Sequence, residues 1–499
     1  MMGNWMEALP IASILLALFG AVVTSTLDRV RSAYRLALAV SGGVAVLSLL
    51  AMVYTLRVDT GIGYAIGGRS LLWAGPLQAL LATAFSVVMA ASLAGGRRDL
   101  FRDVPPHSFY FTAAEILTAA LLVLLYANDA FVGYVFLEVA TLAAAVLMMA
   151  KGSGPNFIGS VRFLFMSLLG SGLFLLGLAF LNGLAGTLLI PGLEEPVSRL
   201  YDSHAYYVPL AVTVGLVIAG LGIKSAMFPF YLWLPDAHGG ATTSTSAITS
   251  GLVLKGGVVM LITLMYKGFS LELLSDLGVS DVLLLVGTLG MLTGAMAAMR
   301  ERHVKRMLAF STAGQMGYIF MGLGLGTTEG MVASCFHILV HSCCKPLLFL
   351  CAGRLSDVSG HHRSMRNLRG SAYRDITAGI GFTVGALSMI GIPMFGGFVS
   401  KLYFASAALA TNRTTLTLLA IALATVLNAL AYVPAVLAIW ERPKPDEEAA
   451  LIADNVASEV TPDHSFGTAA LVLMLGIFVL GIFYHPITDI LNAGVRLMQ

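Results

Sequence analysis

Charge is what this sequence has least of. Asp, Glu, Lys and Arg make up 11% of its 499 residues, against about 25% in soluble domains. A length of about 150 residues per domain would suggest three soluble domains, but so few charges cannot cover three water-exposed surfaces. At 58% hydrophobic, the chain reads instead as one polytopic membrane domain. The net charge is +2, with no basic tail, and no nucleic-acid partner is expected. Cysteine is scarce too. Cys335, Cys343, Cys344 and Cys351 share one apolar segment without a CxxC pair, which argues against iron–sulfur or zinc ligation. They read as small apolar helix residues. The beginning, MMGNWMEALP, lacks the basic region of a signal peptide, and no small-residue cleavage site follows. The first apolar segment is therefore expected to remain as a helix.

Long apolar runs are what the sequence has in abundance. Runs of about 20 residues mark transmembrane helices, and fourteen are read here: 8–25, 35–55, 73–94, 109–127, 130–150, 160–184, 207–234, 241–265, 280–299, 305–326, 330–352, 376–408, 415–440 and 467–487. The fold class expected is an all-α polytopic membrane protein. Arg29, Arg31, Arg35, Arg97, Arg98, Arg102, Arg300, Arg302, Arg306 and a set from Arg354 to Arg374 all lie in odd-numbered loops. By the positive-inside rule these loops are cytoplasmic and both termini face outward, in a cell membrane. The stretch 441–466 reads as a cytoplasmic linker. The seventh run contains Pro229, and the long twelfth contains GIPMFGGF (391–398), so both helices should be broken. They lie five spans apart, and an odd offset makes any repeat inverted. Paired broken helices in two inverted halves suggest a transporter-type core. No residue-level identity between the halves is evident.

Ionisable residues inside apolar runs are costly, by about 3 kcal/mol for a central lysine, and point to function. Of eight lysines, Lys224, Lys255, Lys345 and Lys401 lie well inside runs, where a snorkelling anchor would not be placed. Lys305, beside Arg302 and Arg306, reads as an anchor. Glu138 has no polar company nearby in sequence. Its partner must come from another helix, with Lys224 the expected cation; a protonated structural carboxyl is the alternative. His337, His341 and Lys345 recur every four residues and so share a helix face. Imidazole titrates near neutral pH and passes a proton between its two nitrogens, so this stripe suits a proton relay. The plainer readings are satisfied core histidines or a metal pair at His337 and His341, which has no carboxylate beside it on that helix. Asp236 and His238, in the LPDAH turn, read either as a proton inlet or as a cap and turn. The run ATTSTSAITS either hydrates the interior or bonds back to its own helix.

Several stretches together carry a family resemblance: FLEVATL with Glu138, GIKSAMFPFYLWLPDAH with Lys224, SAITSGLVLKGG with Lys255, VKRMLAFSTAGQMGYI, HILVHSCCKPLLFLCAG, and IPMFGGFVSK with Lys401. From about 110 to 410 the chain resembles the antiporter-like subunits of respiratory complex I, Mrp-type cation/proton antiporters and membrane-bound energy-converting hydrogenases. The resemblance implies about fourteen helices with two inverted five-helix repeats, at about 109–265 and 280–440, flanked by helices at about 8–94 and 467–487. It implies that Glu138 and Lys224 form a paired gate and that Lys255 is the central relay. His337, His341 and Lys345 would continue the path to Lys401, which loads or unloads the proton on the outer side. It also implies no cofactor or redox centre in this chain, other membrane subunits as partners, and a peripheral redox arm whose subunits carry iron–sulfur clusters, flavin or nickel–iron. The chain departs from the family after LPDAH, where prolines are common and HGGATTSTS stands here, and at Pro346, where a small residue usually follows the lysine. No long lateral helix is expected after the last span.

The leading expectation is a proton-translocating subunit of a redox-driven complex. The rivals are a Mrp-type sodium/proton antiporter subunit, a quinone- or substrate-binding enzyme subunit using Asp236, His238, His361 and His362, and a purely structural anchor.

Overall fold

Where water is absent, a backbone can satisfy its own N–H and C=O groups only as helix or closed barrel, and helix follows every one of the fourteen apolar runs. The structure is a computed structural model describing residues 3–105, 109–204, 206–442 and 463–498; most of the 441–466 linker lies outside them. The principal helices are α1 (Leu9–Ser25), α2 (Val30–Val58), α3 (Pro76–Gly95), α4 (Arg97–Asp103), α5 (Tyr110–Tyr126), α6 (Ala130–Met149), α7 (Gly154–Ala185), α8 (Tyr207–Lys224) and α9 (Leu234–Gly240). They continue as α10 (Thr243–Gly268), α11 (Val279–Arg300), α12 (Val304–Leu323), α13 (Thr328–Asp357), α14 (Ile376–Ile390), α15 (Gly396–Leu409), α16 (Thr414–Trp440), α17 (His464–Ile482) and α18 (Tyr484–Arg496). Among the described residues, ten helices are long and apolar enough to cross a membrane, and α1, α5 and α14 are shorter apolar helices.

Burial sorts these helices. In α10 and α13, 94% of the most apolar window is buried, against 39% in α7 and α16. The two central helices are those that carry Lys255 and the His337–His341–Lys345 stripe. The peripheral ones turn Phe165, Leu168, Leu419 and Leu437 outward, as a lipid-facing surface requires.

Small residues allow close approach without a hydrophobic driving force between helices. A Cβ on Gly220 would lie 2.6 Å from Phe174 N and 2.7 Å from Gly170 O, so α7 and α8 pack backbone to backbone just before Lys224. Likewise a Cβ on Gly317 would meet Met291 N at 2.2 Å, which binds α12 to α11.

Both expected breaks are present. α8 stops at Lys224 and helix resumes at Leu234; α14 stops at Ile390 and α15 begins at Gly396. Each break contains a non-glycine residue in the left-handed region, Ala226 (φ 57°) and Met394 (φ 76°), a conformation costly enough to persist only where the surroundings impose it. Lys224 is thus the last residue of its helix segment.

Two features were not expected. An antiparallel hairpin, β1 (Ile62–Ile66) with β2 (Arg69–Ala74), occupies the loop before α3, so the fold is not wholly helical. α10 also contains two π-helical turns, Thr249–Val253 and Leu264–Gly268.

Candidate functional site

At the first break, the Lys224 ammonium donates to a Glu138 carboxylate oxygen and, at 2.9 Å, to Thr141 Oγ1. Ser171 Oγ on α7 donates to the same Glu138 oxygen. The pair therefore joins α6, α7 and the end of α8. The Lys224 side chain is 3% exposed and that of Glu138 is 28% exposed. The carboxylate thus opens toward the outside of the chain while the amine points in.

Lys255 is fully buried on α10. Its ammonium donates to Ser250 O, a carbonyl in the first π-turn, where the wider helical loop changes the usual backbone pairing. Gly257 brings α10 against the break: a Cβ there would lie 2.5 Å from Ser225 Oγ and 3.6 Å from Lys224 Cβ.

On α13, Lys345 donates to Leu308 O at 3.1 Å, Ser311 Oγ at 2.8 Å and Tyr432 OH at 2.9 Å, reaching α12 and α16 together. His337 Nδ1 lies 2.6 Å from Ser400 Oγ on α15, and its ring is 6.1 Å from that of His341. Both His341 nitrogens and His337 Nε2 are buried without a protein partner among the described residues. Buried polar atoms of this kind normally find water. His341 lies within electrostatic reach of Lys255 and Lys345, and His337 of Lys401.

Lys401 ends the series at the second break. Its ammonium donates to Met389 O at 3.3 Å, to Ile390 O, and to Thr425 Oγ1 at 3.1 Å, and sits 5.6 Å from the Tyr318 ring centre. It thereby caps the last carbonyls of α14. The structure thus brings Glu138 and Lys224 into contact and gathers Lys255, His341, Lys345, His337 and Lys401 in the buried centre. Ser225, whose hydroxyl has no protein partner among the described residues, lies beside Gly257, where α10 meets the break after Lys224.

Asp236 and His238 part company. Asp236 is paired with Arg162 and, at 2.7 Å, with Arg306, at the surface. His238 is 1% exposed and stacks on Phe349 with ring centres 5.0 Å apart. His361 pairs with Asp357 at 3.0 Å. Among the described residues no group of three or more His, Cys, Asp or Glu is arranged to hold a metal ion. The four cysteines are unpaired, three of them buried in α13.

Lys305 corrects its anchor reading. It is 1% exposed and donates to Ala241 O at 3.1 Å, facing inward rather than toward headgroups. Sequence reasoning also missed Ser171, which donates to Glu138, and Ser311, Tyr432 and Thr425, the hydroxyl partners of Lys345 and Lys401. Thr141, three residues beyond Glu138, was within reach of a helical-face argument; the others come from distant helices and leave no local signal.

Two broken helices, each with a buried lysine at its break, and a buried Lys/His line between them define the class: an antiporter-like polytopic membrane subunit. The family model described as "NADH:quinone oxidoreductase/Mrp antiporter, TM" matches residues 127–428. The chain is 30% identical over 406 residues to NADH-quinone oxidoreductase subunit N of Desulforudis audaxviator, covering 79% of each chain. It is 29% identical over 296 residues to a Na(+)/H(+) antiporter subunit of Alkalihalophilus pseudofirmus, covering 59% of this chain and 57% of that one. Its fold is similar to a chain of the Mrp complex from Dietzia sp. (TM-score 0.84, 22% identity, 99% and 97% of the two chains covered). It is also similar to a chain of the membrane-bound sulfane sulfur reductase, an archaeal respiratory membrane complex (TM-score 0.81, 23% identity, the same coverages). The chain belongs to the NADH:quinone oxidoreductase/Mrp antiporter family of membrane proteins.

Proposed function

We propose that this chain is the proton-translocating subunit of a multisubunit, redox-driven membrane complex and moves protons along the line from Glu138–Lys224 through Lys255, His341, Lys345 and His337 to Lys401. The observation that supports this reading is that five ionisable side chains, Lys255, His337, His341, Lys345 and Lys401, are buried between the two helix breaks. Contact with the Glu138 anion stabilises the charged amine of Lys224; drawing the anion away lets the proton leave for Lys255. Re-pairing resets the gate. Each proton moved against 100 mV costs about 2.3 kcal/mol, which a partner's redox reaction would supply through the partly exposed Glu138 face. That exposure supports a neighbouring membrane protein covering Glu138. The two breaks, five runs apart, support two inverted repeats at about 109–265 and 280–440, and the arginine-rich loops support outward-facing termini.

The test is Lys224→Ala in the intact complex, reconstituted into vesicles with a pH-sensitive dye. Loss of translocation with assembly unchanged is expected, and an unimpaired rate would overturn the assignment. The second reading, a Mrp-type sodium/proton antiporter component without redox partner, is favoured by the similarity to the Alkalihalophilus pseudofirmus antiporter chain. Subunits that co-purify after gentle solubilisation separate the two. Flavin-, iron–sulfur- or nickel–iron-bearing partners support the redox pump, and only small membrane proteins support the antiporter.

A further inference from the structure

A second buried lysine site lies at the arginine-rich end, outside the line described above. A cavity of about 210 Å³ is lined by Asp99, Arg102, Lys151, Lys305, Asp357 and His361, among others. Arg102 ties together its three carboxylates, pairing with Asp99 at 3.1 Å, Asp103 at 2.8 Å and Asp357 at 2.9 Å. Exposure falls inward, from 63% for the His361 side chain and 9% for that of Asp357 to 1% for Lys305. No ion pair among the described residues uses Lys305. One of its three N–H groups is taken by Ala241 O, which leaves donors for the cavity.

The floor of the cavity leads toward the central line. Asp99 accepts from Thr243 N at 3.2 Å and from Thr243 Oγ1 at the start of α10, the helix that carries Lys255. Ala241 follows the last residue of α9, whose His238 is buried with Nε2 lacking a protein partner among the described residues. His238 lies within electrostatic reach of Lys305, Lys345 and Lys255.

We propose that this cavity is the cytoplasmic proton inlet of the chain, with Lys305 as its inner proton carrier and His238 the link to Lys255 and Lys345. The inlet rests on the proton-translocating function proposed above. Water in the charged mouth, which Arg363 also lines, hands a proton to the Lys305 amine, and the resulting ammonium passes it through water to His238; no other bond changes. Asp236, tied to Arg162 and Arg306 at the surface, stands outside this route.

The experiment substitutes Lys305 in the intact complex and measures the initial rate of proton translocation in vesicles. Lys305→Met removes the carrier. Lys305→Arg keeps the charge and the contacts but holds its proton at any working pH. Both should lower the rate at least tenfold with the complex assembled, whereas a purely structural charge would tolerate arginine. Lys305→His should recover part of the rate, rising as the uptake side is acidified from pH 8 to pH 6. A parent-like rate in Lys305→Arg or Lys305→Met overturns the inlet. If Lys224→Ala is inactive in the same assay, the failure concerns the inlet alone; if it too is fully active, the translocating function falls with it.

Should the Lys305 variants not assemble, His361→Cys at the exposed mouth serves instead. Treatment with a membrane-impermeant, negatively charged methanethiosulfonate from the cytoplasmic side should slow translocation several-fold in that variant and leave the parent unaffected. No slowing overturns the inlet.

Discussion

The Lys345 ammonium lies 2.9 Å from the Tyr432 hydroxyl, which is itself 2.7 Å from Ser311 Oγ. A buried amine from α13 is therefore held by hydroxyls from α12 and α16, with no carboxylate among the described residues paired to it. A cation solvated by neutral oxygens can give up and regain its proton without breaking an ion pair. Tyr432→Phe removes one of those oxygens and leaves Leu308 O and Ser311 Oγ in place. Losing one partner of a buried charged donor costs about 1–3 kcal/mol. Translocation should fall roughly tenfold, as that cost implies, with assembly retained; the dye assay in vesicles measures it.

Glu138→Gln keeps the shape and hydrogen-bonding capacity of the side chain while removing its charge. Lys224 keeps Thr141 as a partner, so assembly should persist. The gate loses the anion that controls the amine, and steady-state translocation should fall by tenfold or more, read in the same vesicles beside an assembly gel.

Gly317→Leu tests the packing that holds α12 against α11. Even a Cβ would lie 2.2 Å from Met291 N, and a full side chain forces the helices apart. Core overpacking costs about 1–3 kcal/mol or more. Loss of assembled complex, or a clear fall in the thermal aggregation temperature, is expected.

Asp103 gives a pH-dependent prediction away from the membrane interior. Burial would raise its pKa, but hydrogen bonds and charge from Arg102 and Lys151 outweigh burial and hold it at about 2. A carboxyl with a depressed folded-state pKa stabilises the protein above its ordinary value near 3.8, and that contribution fades as pH falls toward 2. Asp103→Asn should therefore melt below the parent at pH 7, with the gap narrowing below about pH 4. A gap independent of pH would count against this origin.

Much of this fold could be read in the sequence because lipid imposes simple rules. Apolar length gave the helices, and proline and glycine in 207–234 and 376–408 marked the two breaks. The cost of charge in apolar runs singled out Glu138, Lys224, Lys255, Lys345 and Lys401. The hairpin at Ile62–Ala74 stayed hidden in a loop, and the π-turn at Thr249–Val253 has no compositional mark. Lys305 was misread because sequence gives its position at a helix start but not its direction. It faces Ala241 instead of headgroups because α12 begins beneath the α9–α10 connection. Tyr432, 87 residues from Lys345, shows why long-range polar partners escape local reasoning.

Lys255 sits at the middle of the buried line, so proton translocation by the intact complex carrying Lys255→Ala is the most direct measurement. A conducting axis predicts that translocation is abolished while assembly and partner binding remain. Translocation at the parent rate, with the variant chain present at full occupancy, would contradict it.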